Sequence, residues 1–140
     1  MAPIIPLPST RNHWMTWVET HATMKPDAVA FRYLGEATSW RTLHTRSTAL
    51  ARSLGSRGVG AGDRVLLLTL NRVEFFEAVL ALNRLGAIAV PVNFRLTPPE
   101  AAYLAEDSGA IGIVTEPALL PLALAVRAIV PALGLAVVMG

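Results

Sequence analysis

The chain contains no cysteine and a single lysine, Lys25. Without thiols there is no disulfide framework, no thiolate metal site and no cysteine nucleophile, which sets aside the small stapled secreted folds. Charge is scarce as well: 16% of residues are charged and 53% are hydrophobic, whereas soluble domains average about 25% charged residues. A chain of 140 residues can bury a real core as one domain. One this apolar, however, expects further covering, by protein or by lipid. The histidines His13, His21 and His44 lie far apart, with no second histidine or carboxylate at ligand spacing, so no zinc site is expected. The arginines from Arg11 to Arg127 are scattered over a net charge of only +2. Phosphate tracking needs a concentrated basic face, and nucleic acid is not an expected partner.

Several familiar motifs are missing too. No Gly-x-x-x-x-Gly-Lys-Ser/Thr loop occurs, and Lys25 stands outside any glycine-rich turn, so a P-loop is absent. No Gly-x-Ser-x-Gly elbow is present to seat a hydrolase nucleophile. The apolar opening, Met1 to Ser9, is broken by Pro3, Pro6 and Pro8 and has no basic lead, unlike a signal peptide. The stretch from Ala118 to Met139 carries Arg127 as its sole charge and approaches membrane-spanning length. Pro121, Pro131 and Gly134 divide it into a helix-length piece and a β-branched tail, the spacing of a helix followed by a buried strand. A membrane partner is therefore not expected.

What the chain does contain is alternation. After an irregular lead over 1–13, Trp14 to Met24 reads as a short helix with Trp14, Trp17 and Val18 on one face. Ala28 to Tyr33 and Ala37 to Ser39 read as a hairpin about Leu34-Gly35-Glu36. Trp40, Leu43, Ser47, Leu50 and Leu54 recur at helical spacing behind Ser39, a good N-cap, and Gly58 ends that helix. Arg64 to Leu70 is a nearly unbroken apolar run, as in a parallel strand covered on both faces. A helix over 73–85, a strand over 88–92, a helix over 98–108, a strand over 110–115, a helix over 117–130 and a strand over 134–138 follow. Thr97-Pro98-Pro99-Glu100 forms a capping box with proline at the first helical position. The fold class predicted is α/β: a mostly parallel sheet with flanking helices and right-handed crossovers, preceded by a short helix and hairpin.

Four features invite chemistry. The cluster Gly58-Val59-Gly60-Ala61-Gly62-Asp63 precedes its strand and ends a helix. A phosphate cradle follows a strand and opens a helix, so a helix stop and tight turn held by Asp63 is the better reading. Glu74 and Glu77, with Arg84 beyond them, read as a solvated stripe on their helix. Glu106 and Asp107 are adjacent and diverge. The loop Pro91 to Leu96 is the best site candidate, because it follows the carboxyl end of a strand and holds Asn93 and Arg95 beside Phe94. The competing reading has Asn93 bonding its own turn and Arg95 pairing with an acid such as Glu100.

Taken in order, Gly58-Val59, Gly62-Asp63-Arg64-Val65, Asn71, Gly86-Ala87, Val90-Pro91, Asn93, Arg95-Leu96-Thr97, Glu100 and Asp107-Ser108-Gly109-Ala110 form a set. Over about residues 14–138 this set resembles the opening of the large domain of the AMP-forming acyl-CoA synthetases, the adenylate-forming ligases. The resemblance implies a parent enzyme in which a carboxylic acid, in the first instance a fatty acid, attacks the α-phosphate of ATP. The products are an acyl-adenylate and pyrophosphate, and the thiol of coenzyme A then displaces AMP. ATP, Mg2+ and coenzyme A are the cofactors it implies, the remainder of the synthetase the main partner, and the cytoplasm the setting. The family's Pro-Lys-Gly phosphate loop, its acidic adenosine and magnesium motifs and its C-terminal lysine match nothing in this chain. None of its catalytic residues carries over.

The expectation is thus an incomplete N-terminal portion over 1–140, a truncation or a proteolytic remnant, inactive alone and binding no cofactor. Asn93 and Arg95 are its sole candidates for substrate contact. Exposed apolar surface makes a homo-oligomer a second expected partner. A stand-alone binding module and a small membrane-attached protein are the alternatives; the module needs a more polar surface than the stretch after Ala118 offers.

Overall fold

The computed structural model describes residues 14–140; the expected lead over 1–13 lies outside them. The chain divides into two compact units, one up to Arg46 and one from Ser47.

The first unit holds helix α1 (Trp14–Met24), the antiparallel strands β1 (Val29–Tyr33) and β2 (Glu36–Ser39), and the start of helix α2 (Trp40–Ser56). Leu34 (φ 48°) and Gly35 (φ 86°) make the turn. Two successive residues at positive φ give the hairpin turn whose twist suits antiparallel strands. Ser39 caps α2 as expected: its Oγ accepts the Thr42 N–H at 3.1 Å. In α1 the buried pair is Met15 and Val18, while Trp14 and Trp17 are 43% and 55% exposed. Of the expected face Val18 is buried, while Met15 takes the inward place expected of Trp14 and Trp17. Met15 and Val18 are also one turn apart, and flexible aliphatic chains bury completely more readily than indoles.

The second unit is a four-stranded parallel sheet in the order β4-β3-β5-β6. Its strands are β3 (Arg64–Leu68), β4 (Ile88–Pro91), β5 (Gly112–Thr115) and β6 (Leu135–Val138). Helices α3 (Val73–Arg84), α4 (Pro98–Ser108) and α5 (Leu120–Ile129) connect them, with a 3-10 turn at Pro117–Leu119 ahead of α5. β3 is buried on both faces, as its unbroken apolar run requires. Leu66 and Leu68 face α4 and α5 through Ala101, Ala102, Ala105, Ala123 and Val126. Val65 and Leu67 face the other way, onto Ala78, Val79, Ala81 and Leu82 of α3 and Ala51 and Leu54 of α2. Small residues on the helices let them lie close to a strand of leucines.

Two details of the packing follow from single residues. At Gly112 a Cβ would come within 2.9 Å of the Leu135 Cβ and 3.2 Å of its carbonyl, so β5 and β6 approach closely only because this position has no side chain. In α3 six consecutive residues from Glu77 to Leu82 are buried, which no one-sided helix could show. Glu77, 4% exposed, is therefore no part of a solvated stripe; the helix is covered all round over Glu77 to Leu82, and the stripe reading is corrected on that ground.

Candidate functional site

In open α/β sheets ligands gather outside the carboxyl ends of strands, where connections from neighbouring strands leave on opposite faces. Here α3 follows β3 on one face and α5 follows β5 on the other, and β3 and β5 are direct neighbours. The switch point of this sheet is therefore the crevice between the ends of β3 and β5, not the loop after the edge strand β4.

That crevice is occupied by the chain itself. Glu116, 4% exposed, accepts the Leu70 N–H on Oε2 at 2.9 Å. Its Oε1 lies 3.6 Å from the Arg72 guanidinium, which also reaches Glu74 at 3.1 Å. One residue earlier, buried Thr115 donates from Oγ1 to the Leu68 carbonyl at 2.9 Å. The side chains of Thr115 and Glu116 thus take over the backbone ladder as β3 ends, and a carboxylate of the chain sits where a ligand anion would. Thr69 Oγ1 is buried beside this end with no hydrogen-bond partner. The sequence shows Arg72, Glu74 and Glu116, but not that Glu116 joins them from 44 positions beyond Arg72; strand order alone brings them together.

The nominated loop is closed on itself. Asn93 Oδ1 accepts the Arg95 N–H at 3.0 Å, and the Leu96 N–H returns to the Asn93 carbonyl at 3.1 Å. Asn93 does bond its own turn. Arg95 does not pair with Glu100: its guanidinium lies over the Phe94 ring, 5.4 Å from the centroid. Glu100 instead completes the capping box of α4, accepting from the Thr97 hydroxyl at 2.7 Å and the Thr97 N–H at 2.8 Å. Those two bonds, the hydroxyl's first, hold its carboxyl below the usual carboxylate range. Phe94 and Leu96 pack against the α4–α5 side of the core. The structure joins the Asn93 side chain to the Arg95 backbone N–H, not to its guanidinium, and leaves both residues exposed.

At the opposite end of the sheet the glycine cluster behaves as the turn expected. Gly58 and Gly62 have φ of 92° and 81°, and Asp63 accepts the Gly60 N–H at 2.8 Å. Arg64 then donates from Nε to the Ser108 carbonyl at 2.7 Å, and from its two Nη groups to Gly109 at 2.8 Å and Gly62 at 2.9 Å. Gly109, left-handed at φ 62°, is the C-cap of α4. A guanidinium on orphan carbonyls at a helix C-terminus satisfies them and complements the helix dipole. Two distant pieces of the sequence set, Gly62-Asp63-Arg64 and Ser108-Gly109, are thus halves of one clamp.

Fold and site together define a doubly wound α/β scaffold whose switch point is closed by its own side chains. The comparisons place it. Residues 18–138 match the family model described as AMP-binding enzyme. The chain belongs to that family, the adenylate-forming acyl- and aryl-CoA ligases. It is 38% identical over 102 residues to a feruloyl-CoA synthase from Amycolatopsis sp, covering 73% of this chain and 21% of that protein. It is 35% identical over 119 residues to the long-chain-fatty-acid–CoA ligase FadD13 of Mycobacterium tuberculosis, covering 82% and 23%. The anthranilate CoA ligase AuaEII, solved with anthranoyl-AMP, superposes with a TM-score of 0.83 at 28% identity, over 90% of this chain and 24% of that one. The chain spans about a fifth of the length of these curated relatives.

The N-termini of α3 and α4 do not fit the phosphates of ATP. Glu100 occupies the N-terminus of α4, and Arg72, the N-cap of α3, is already committed to Glu74 and Glu116. A triphosphate at either place would meet a carboxylate. Among the described residues no group of three or more His, Cys, Asp or Glu could hold a metal ion, and no helix is long and apolar enough to cross a membrane.

Proposed function

We propose that this chain is the N-terminal portion of the large domain of a cytoplasmic AMP-forming ligase that converts a fatty acid, through its acyl-adenylate, into a coenzyme A thioester. The observation that carries this reading is the match of residues 18–138 to the family, in a chain whose motif pairs prove to be fold-making ties. ATP, Mg2+ and coenzyme A would be handled by the rest of such a protein, the partner of this portion. Alone, the chain is inactive: nothing described here is placed to neutralise charge developing on a transferring phosphoryl group. The name of the relative FadD13 supports a fatty acid. The feruloyl-CoA synthase supports a second reading, an aryl acid.

Of this chain's residues, Asn93 and Arg95 are proposed to border the substrate cleft, Asn93 by shaping the turn and Arg95 through its exposed guanidinium. A chimera tests the whole. Residues 14–138 would replace the matching segment of a related CoA ligase, and carboxylate-dependent ATP–pyrophosphate exchange would be measured with long-chain fatty, ferulic and anthranilic acids. Exchange by the folded chimera, and none by the 140-residue chain, is the expected result. A folded chimera without exchange overturns the family role, exchange by the chain alone overturns its inactivity, and a preference for ferulic over fatty acids selects the second reading.

A further inference from the structure

We propose that Glu116 is a positioning residue of the ligase reaction: from the neighbouring strand it holds the turn over residues 70–72, and with it Asn71, at the edge of the substrate cleft. The inference rests on the ligase reading above and adds to it a residue that does not itself touch substrate.

Three connections leave the carboxyl end of the sheet side by side. In the order β4-β3-β5 the turn after β3 lies between the loop of Asn93 and Arg95, proposed above to border the cleft, and the end of β5. The loop is fixed to β3 by the Val92 N–H, which donates to the Leu67 carbonyl at 2.9 Å. The turn lies beyond the ladder, whose last pair with β5 is Leu68 and Thr115. Its internal tie is short: the Arg72 N–H returns to the Leu70 carbonyl at 2.9 Å. Arg72, the N-cap of α3, supplies no side-chain cap bond, and its ion pair with Glu74 stays within two residues. Asn71 is exposed and makes no side-chain bond among the described residues.

Glu116 supplies what the turn lacks. Its Oε2 accepts the Leu70 N–H at 2.9 Å and its Oε1 lies 3.6 Å from the Arg72 guanidinium, so one carboxylate grips the chain on either side of Asn71. Bonds to an ionised acceptor are roughly twice as strong as neutral ones, and burial of the carboxylate keeps water from competing. Glu116 also stands at the entry to the 3-10 turn ahead of α5. The same residue therefore ties together the starts of α3 and α5, which leave the sheet on opposite faces, and sets the width of the crevice between them. A misplacement of about 1 Å in a segment that positions substrate can cost on the order of 100-fold in rate, so a tie at this point governs more than stability.

Two measurements test this. In the 140-residue chain, amide exchange at Leu70 should be roughly tenfold faster in Glu116→Ala than in the native protein, and near native in Glu116→Gln, which keeps an acceptor in the same place. In the chimera, Glu116→Ala should lower kcat/KM for ATP–pyrophosphate exchange, per folded molecule, roughly tenfold or more. The loss should fall on kcat, and Glu116→Gln should restore most of it. Arg64→Ala strands three carbonyls at the opposite end of the sheet and should keep its kcat/KM per folded molecule, with circular dichroism giving the folded fraction of each variant. Unchanged kcat/KM in Glu116→Ala, or an equal loss in Arg64→Ala, overturns the proposal, because the carboxylate then serves stability alone. So does a Leu70 amide that exchanges alike in the native protein and Glu116→Ala, or a Glu116→Gln as slow as Glu116→Ala although its Leu70 amide is protected. A native chimera without exchange overturns the ligase reading, and this inference with it, before any variant is made.

Discussion

The clamp on Arg64 and the turn from Asn93 to Thr97 are both named pieces of the same ordered set, yet they are held in opposite ways. Arg64 reaches carbonyls 44 and 45 residues away. The hydrogen bonds of the turn close within four residues: Asn93 to Arg95, Asn93 to Leu96, Thr97 to Glu100 and Thr97 to Ala101. A long tie is paid for by the whole fold and fails with it; a short one forms wherever its own few residues meet. Recurrent motifs in one domain need not share a purpose, and those with the longest reach are the ones the architecture depends on.

The sharpest way to break the contrast is Arg64→Ala. It strands the Ser108, Gly109 and Gly62 carbonyls and uncaps α4, and should cost about 2–3 kcal/mol, the scale for bonds to a charged donor; urea denaturation measures it. A cost below that of Asn93→Ala would reverse the comparison. Glu116→Ala comes next, at about 2 kcal/mol, because the part-buried Leu70 N–H loses its buried acceptor. Glu116→Gln keeps an acceptor and gives up only the contact with partly exposed Arg72, so roughly half that loss is expected.

The turn gives the smallest effects. Asn93→Ala should cost about 1 kcal/mol or less, since water readily replaces an exposed bond. Arg95→Ala in the chimera should leave kcat/KM per folded molecule unchanged if the turn is merely structural. A loss larger than stability explains would make Arg95 a substrate contact. Acid acts on the same turn through Glu100. Its folded pKa is lowered, so its stabilising contribution is complete above the ordinary carboxylate range and disappears as pH falls through the folded value. Thermal melts from pH 6 downward should show α4 loosening at acid pH in the native chain, and no such component in Glu100→Gln.

Much of this was legible in the residues. The capping box at Thr97 and Glu100, the N-cap at Ser39 and the helix-ending Gly58 were readable because each depends on neighbours within four positions. So was Asn93's bond to its own turn. The inward face of α1 was legible only at Val18: Met15, not Trp14 or Trp17, is buried with it, and both choices lie at helical spacing. The burial of Glu77 was not legible, because a hydropathy pattern assigns carboxylates to solvent whatever covers the helix. The switch point was out of reach altogether. Placing it needs the order β4-β3-β5-β6, and nothing within a strand says which strand lies beside it. For that reason sequence alone points to Pro91 to Leu96, at the end of an edge strand, and not to Glu116.

Because one guanidinium closes both the Gly58–Asp63 turn and the last turn of α4, these two surface segments cannot fluctuate independently. When Arg64 lets go, both lose their closure at once, and they should open as one cooperative unit well below the free energy of global unfolding. Amide exchange at Gly60, whose N–H is held by Asp63, and at Gly109 and Ala110, which close the end of α4, would then share one rate, although 49 residues separate the first of these amides from the second.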